Sequence, residues 1–407
     1  MWNTKVRAVF LVFLMMGILS LTYSLPTSTV VISSTGKISP NYTVNATSGS
    51  PTDIQNAINS IISHGGGTVY IPAGTYHWNG QTVNLIGGVN VIGAGLAGNN
   101  GASSNWTQNT ASTILHDDAP NPSNTMFEVD GSNGKPIRIS SIQFEANVTS
   151  DDTNGGSVCI DIYNAIDFRV DHCTFINFSD VAINVGNYIN GVDRGIIDHC
   201  TISNPYKYVY TDSIWGYGIE LVGQAYSWDN NITDFLGKYE TAPSGFPIVY
   251  IEDNHFSLCR HCVASNQGSW YVTRYNLIDN EYPEDYGSID IHGAAGATAP
   301  GGRGLEAYNN TIVGTSGYNY AQAFWIRGGG GVIFNNTMRN IWYGVGLYYD
   351  GVPQGQVKDL YIWGNTMDKG TLINNYANYT ENVDYFLYAK SGYTPYPYPH
   401  PLTLVIP

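Results

Sequence analysis

The chain has 407 residues, of which only 12% are charged, and acidic residues outnumber basic ones by 32 to 17 for a formal net charge of −15. That balance argues against nucleic acid as a partner, and it would repel an acidic polymer unless a cation or a local basic patch intervened. The charge is spread along the chain, without an acidic tail.

At the N-terminus, Lys5 and Arg7 precede an apolar run from Ala8 to Leu21 and then Thr22-Tyr23-Ser24. This pattern predicts a signal peptide over residues 1–24, hence a protein secreted to the outside or the cell surface. The run is short for a bilayer span of about 20 residues and no second one follows, so stable membrane insertion is not expected after cleavage. Losing Lys5 and Arg7 takes the formal charge to −17. Residues 25–50, rich in Ser and Thr, read either as a leader or as a first strand. Nine Asn-x-Ser/Thr sequons, starting at Asn41, Asn45, Asn105, Asn147, Asn177, Asn231, Asn309, Asn335 and Asn378, are candidate glycan acceptors of a glycoprotein.

A β-helix domain is expected over residues 51–392. Thr52-Asp-Ile-Gln55 reads as a capping box, and Ile54, Ala57, Ile58, Ile61 and Ile62 form a helical stripe that stops at Gly65-Gly-Gly67. Further on, seven segments align in one register: Val170-Asp-His-Cys, Ile197-Asp-His-Cys, Ile251-Glu-Asp-Asn, Thr273-Arg-Tyr-Asn, Ala307-Tyr-Asn-Asn, Ile333-Phe-Asn-Asn and Ile362-Trp-Gly-Asn. Asn230 is placed between Cys200 and Asn254 as an eighth member, which makes the spacing 22 to 34 residues. Repeats of this size, built of short apolar-alternating strands broken by Gly, Asn and Asp, predict an all-β solenoid, a right-handed parallel β-helix with an N-terminal capping helix. Stacked coils lie about 4.8 Å apart, so the Asn column can form a ladder of side-chain amides while the first column points inward. Cys173 and Cys200 share that column, which makes a disulfide between them conceivable. The five cysteines otherwise read as buried thiols, Cys259 and Cys262 included. The alternate prolines of the tail, residues 393–407, bar it from a central strand and predict an extended segment over the far end of the stack.

Asp53-Ile-Gln-Asn-Ala-Ile-Asn-Ser60 followed by Gly65-Gly-Gly-Thr-Val-Tyr-Ile-Pro-Ala-Gly-Thr-Tyr76 resembles the opening segment of the pectate lyase and polygalacturonase superfamily of right-handed β-helices. The resemblance implies a carbohydrate-active protein acting on a polysaccharide. It leaves open a lyase cleaving an acidic polysaccharide by β-elimination, a glycoside hydrolase, and a glycan-binding or cell-surface protein without turnover. Val170-Asp-His and Ile197-Asp-His are similar to the Trp-Ile-Asp-His strand of one pectate lyase family, in which carboxylates hold calcium; Asp171, Asp198 and Glu252 would be the ligands here. The Arg-x-Pro-x-x-Arg segment of that family and the polygalacturonase signatures are absent.

If the first column is inward, the second faces outward and contains Asp171, Asp198, Trp228, Glu252, Arg274, Tyr308 and Trp363. A second strand per coil places Asp161, Glu220, Asp290 and Trp325 in another outward row, followed two residues later by Asn266, His292 and Arg327. For elimination, His292 or Arg274 would be the base, Arg303 would bind carboxylate, and Asp290 and Glu306 would position substrate or cation. Asp290 with Glu306 or Glu252 would serve hydrolysis. Trp228, Glu220, Glu252, Asn266, Tyr308, Trp325 and Arg327 would line the sugar. A monomer is expected.

Overall fold

The computed structural model describes residues 42–101, 106–119, 124–147, 157–186, 193–204, 216–222, 248–281, 287–293, 301–315, 321–349 and 356–404. Within these the chain is a right-handed parallel β-helix. Three strands recur in each of ten coils, and each joins its equivalent in the next coil through parallel pairing. The result is three sheets, A with 12 strands and B and C with 10 each. Among the described residues no helix is long and apolar enough to cross a membrane.

The single α-helix among the described residues, Pro51–Ser63, covers the N-terminal end of the stack and buries Ile54, Ala57, Ile58 and Ile61 against the first strands. Its N-cap is Ser50, whose Oγ accepts from Asp53 N at 3.2 Å, with Pro51 in the first turn. The cap therefore sits two residues before the expected Thr52, because Pro51 supplies a helical φ and needs no amide partner there. Ile62 is exposed rather than part of the stripe. Thr43–Asn45 pairs in parallel with Gly67–Ile71, so part of the 25–50 segment is a first strand. Gly67 holds φ +149°, where a Cβ would lie 2.2 Å from Tyr42 O, which explains the glycine run that ends the helix.

The seven aligned segments are strands of sheet A, and Val170, Ile197, Ile251, Thr273, Ala307, Ile333 and Ile362 are partners across it. They point into a core filled in part by a run of rings: Phe127 meets Phe144 edge-on at 5.1 Å, and Phe144 stacks on Phe175 at 5.2 Å. The strand ending at Asp198 pairs directly with that ending at Glu252. No coil lies between them, and the eighth member expected at Asn230 belongs to residues 223–247, outside the described residues.

Between sheets A and B each coil from Ser141 onward turns through one residue in the left-handed region, such as Asp253 (φ 58°), Tyr275 (57°), Asn309 (56°) and Asn335 (54°), and from Asp253 on the next residue is the asparagine of the ladder. Asn310 Oδ1 accepts from Asn276 N at 3.1 Å, Asn336 Oδ1 from Asn310 N at 3.0 Å, and Asn365 Oδ1 from Asn336 N at 2.9 Å. Each side-chain NH₂ donates onward, as from Asn310 to Asn336 Oδ1 at 2.9 Å and to Thr273 O at 3.0 Å. Cys173 and Cys200 continue this column without the disulfide conceivable from the sequence, and all five cysteines are buried thiols.

Replacing Asn310 with Leu removes the acceptor for the amide and the side chain of Asn276. The cost should be about 2–4 kcal/mol in urea unfolding, against less than about 0.5 for exposed Asn79→Ala; equal midpoints for the two variants would refute the role given to the ladder.

Candidate functional site

The outward row of sheet A is buried, contrary to the solvent-facing row expected from the sequence. Residues 393–404 do not cover the end of the stack; they run back along the outer face of this sheet. Arg274 is fully buried: its Nε donates to Glu252 Oε2 at 2.6 Å, one terminal nitrogen to Tyr308 Oη at 2.7 Å and Tyr396 O at 2.8 Å, and the other to Pro397 O at 2.8 Å. Glu252 also accepts from His400 N at 2.8 Å, and the Tyr393 hydroxyl donates to Glu306. Tyr308 stacks on Phe334, and Phe334 on Trp363. An outward strand face bearing this many charges and rings needs partners when covered, and the tail's carbonyls, freed from any ladder by their prolines, provide them.

Asp171 and Asp198 lie further along the same sheet, both without solvent exposure. Arg138 grips Asp171 at 2.7 and 2.9 Å, and Arg169 grips Asp198 at 2.9 Å with both nitrogens. His172 and His199, stacked at 4.8 Å, each hold the preceding aspartate at 2.8 Å. Burial alone would raise the Asp171 carboxyl; hydrogen bonds from Arg138 and His172 and the charge of Arg169 hold it well below the ordinary range. Calcium takes six to eight oxygen ligands. Carboxylates paired with guanidinium groups do not fit that demand, so Asp171, Asp198 and Glu252 are unsuited to holding calcium.

Sheet C presents the other face. Its outward row runs Glu128, Asp161, Asn184, Glu220, Ala264, Asp290 and Trp325 on successive strands. The coil carrying Ile183-Asn184-Val185 was missed in the sequence register, although Val181-Ala-Ile-Asn-Val185 alternates as a strand should. Asp161 and Glu220 are thus two strands apart, as are Glu220 and Asp290, or about 9.6 Å between backbones. The intervening Asn184 donates to Asp161 Oδ1 at 2.8 Å, and Ala264 leaves room on the other side.

These carboxyls have different environments. Burial, reinforced by the charges of Asp180, Asp290 and Asp161, pushes Glu220 up to about 8. Burial also raises Asp161, although the hydrogen bond from Asn184 opposes it. Asp290 is fully buried and held below the ordinary range, because Arg327 donates to its two oxygens at 3.1 and 2.7 Å and outweighs the burial. Burial pushes nearby His261 down to about 3, so it is neutral, with Nδ1 2.5 Å from Gly287 O. Asp290 therefore pairs with Arg327, and the Arg303 amide donates to Ser269 O.

His292 follows the strand, with Nδ1 3.1 Å from Gly293 O, and Asn266 Oδ1 accepts from Gln267 N at 2.9 Å. Beyond Asp290 the face becomes aromatic: Trp325 lies under Arg327 and 4.9 Å from Tyr348, which stacks on exposed Tyr376 at 4.4 Å. The structure therefore brings together Glu220, Asp290, Trp325, Arg327 and Asn266 on sheet C, and separates them from Arg274, Glu306, Glu252 and Tyr308 on sheet A. Trp228 and the loop at 294–300 lie outside the described residues.

A stack of parallel coils with one outward face carrying carboxylates and then aromatic rings makes this chain a right-handed parallel β-helix protein. Among solved structures, an alginate lyase from Paenibacillus sp. str. FPU-7 is similar, with a TM-score of 0.53 and 14% identity, over 82% of this chain and 97% of that one. A tailspike protein mutant of E. coli bacteriophage HK620, in complex with a pentasaccharide, is similar with a TM-score of 0.51 and 15% identity, over 81% of this chain and 56% of that one. At these identities the likeness is one of fold. No protein-family model matches the sequence, and no curated protein matches it.

Two outcomes follow from this geometry. Arg274→Ala leaves Glu252 buried without its guanidinium and should cost about 3–5 kcal/mol and expose the tail to limited proteolysis; unchanged unfolding and cleavage would refute the clamp. Glu220 has a folded pKa above its unfolded value, so its protonated form stabilises the fold below the ordinary carboxyl range, and that contribution is lost as pH rises through about 8. Glu220→Gln should therefore unfold at the same temperature as wild type near pH 4 and at a higher one near pH 9. Identical pH profiles would show that Glu220 is not desolvated.

Proposed function

We propose that this protein binds and hydrolyses a glycan on the outer face of sheet C, with Glu220 as general acid and Asp161 as general base. The observation that supports this reading most is the placement of Asp161 and Glu220 two strands apart on one face, because inverting glycosidases hold two carboxyl groups about 6.5–9.5 Å apart; Asn184 between them holds Asp161, and a water would enter from the solvent side. Glu220 is protonated at neutral pH and can give its proton to the departing glycosidic oxygen. Asp161 then takes a proton from the water that attacks the opposite side of the sugar carbon. Asp290, locked to Arg327, keeps its negative charge near Glu220 and helps maintain the raised pKa. Trp325, Tyr348 and Tyr376 offer ring faces to sugars further along the row.

Elimination on a uronate is less well supported. Arg274 is engaged beneath the tail, Arg327 is bound to Asp290, and His261 is neutral, so the acidic row has little to neutralise a polyanion. A neutral or sparsely charged glycan suits the face better.

The test is release of reducing ends from a panel of neutral and acidic polysaccharides. Glu220→Gln and Asp161→Asn should each lower turnover by at least about 100-fold, and wild-type activity should fall as pH rises through about 8, a limb that Glu220→Gln lacks. Unsaturated products absorbing in the ultraviolet would replace this reading with elimination. Tight binding without any cleavage would replace it with a glycan-binding role.

A further inference from the structure

On sheet B, far from the rows already described in chain order, His77 and His116 occupy one outward register position on neighbouring coils. Asp118 follows the second strand and reaches both rings, with Oδ2 2.8 Å from His77 Nδ1 and Oδ1 3.1 Å from His116 Nε2. One ligating atom from each of the three side chains lies within 4.8 Å of the others. We propose that His77, His116 and Asp118 form a binding site for a divalent transition metal of the zinc type, which joins the first two coils.

The donor set fits such an ion. Two imidazoles and one carboxylate are borderline-soft and hard donors that zinc accepts together, and three protein ligands leave a fourth position for water. In a tetrahedral zinc site with ligands about 2.0–2.1 Å from the metal, neighbouring donors are about 3.3 Å apart. The two Asp118 oxygens now lie 2.8 and 3.1 Å from the two ring nitrogens, and one donor from each of the three side chains lies within 4.8 Å of the others, so rotation of these side chains lets an ion replace the ring protons now shared with the carboxylate.

Two independent features prepare the site. Glu145, the partner of His116 on the third coil, lies 3.4 Å from His116 Nδ1, the nitrogen turned away from Asp118. A carboxylate on the far ring nitrogen fixes the tautomer and aims Nε2 at a metal. The loop carrying Asp118 is also anchored. Buried Asp117 Oδ1 accepts from Gly80 N at 2.8 Å and Ala119 N at 3.1 Å, Asp118 N donates to Trp78 O, and Asn147 Nδ2 donates to Asp118 O. His77 and Asp118 are solvent-accessible, with side-chain exposures of 62% and 48%, so an ion can enter without any rearrangement of the core.

The test titrates Zn²⁺ calorimetrically into the chelator-treated full chain, with Co²⁺ absorption as a second readout of coordination. One equivalent should bind, raise the thermal midpoint by at least about 2 °C when in large excess, and give the visible bands of a low-coordinate Co²⁺ site. His116→Ala and the isosteric Asp118→Asn should each weaken binding at least tenfold, and Glu145→Gln about 10–100-fold, while the metal-free midpoints stay near wild type. No binding by the wild-type chain, or binding that survives in a His77→Ala/His116→Ala double variant, would overturn the site. Unchanged affinity in Glu145→Gln would remove Glu145 from it.

Discussion

Everything in this molecule depends on the parallel pairing of each coil with the next in a constant register. Because the side-chain period of a strand is two, a fixed register puts the same column of every coil inside and the next column outside. Val170 through Ile362 then become core, and chemistry in the outward columns accumulates in rows about 4.8 Å apart instead of being scattered. The asparagine ladder secures that register at the turn between sheets A and B, since each side chain bonds to the backbone of the preceding coil as well as to its side chain. A shifted coil would break both bonds at once.

The three outward faces meet this constraint in different ways. On sheet A, a long row of charges and rings is closed by arginine pairs and by the tail, so it acts as a scaffold. Sheet C carries a shorter row in which one carboxyl is raised and another, two strands away, is held ionised by Arg327. That contrast has an environmental cause: among the described residues the charges that act on Glu220 are those of Asp180, Asp290 and Asp161, whereas Asp290 has a bidentate guanidinium. Sheet B gathers two imidazoles and a carboxylate over its first coils, where neighbouring positions meet across a single strand spacing.

Much of the architecture was legible in the chain. The alignment of Val170, Ile197, Ile251 and their successors matches the strand register residue by residue, and the second register over Ile160, Ile219, Val263, Ile289 and Phe324 is equally correct apart from the missed coil at Ile183. Errors arose where a local pattern had two meanings. Asn230 sits in a suitable tripeptide, yet the strands on either side of its segment pair directly. Thr52 and Gln55 match a capping pattern, while Pro51 places the real cap at Ser50.

Sequence alone determined the strand period, the inward and outward columns and the asparagine turns, because these are repeated and each coil supplies the same short-range signal. Only the tertiary structure decided which outward charges are available for chemistry. Asp171, Arg274 and Glu306 have the same alternation in sequence as Asp161 and Glu220, and nothing local distinguishes them. The distinction comes from partners distant in the chain: Tyr393, Tyr396, Pro397 and His400 close over sheet A, and Arg138 and Arg169 neutralise its aspartates. The pairing of His77 with Asp118 was hidden for the same reason, since 41 residues separate them and only coil stacking brings them within 2.8 Å.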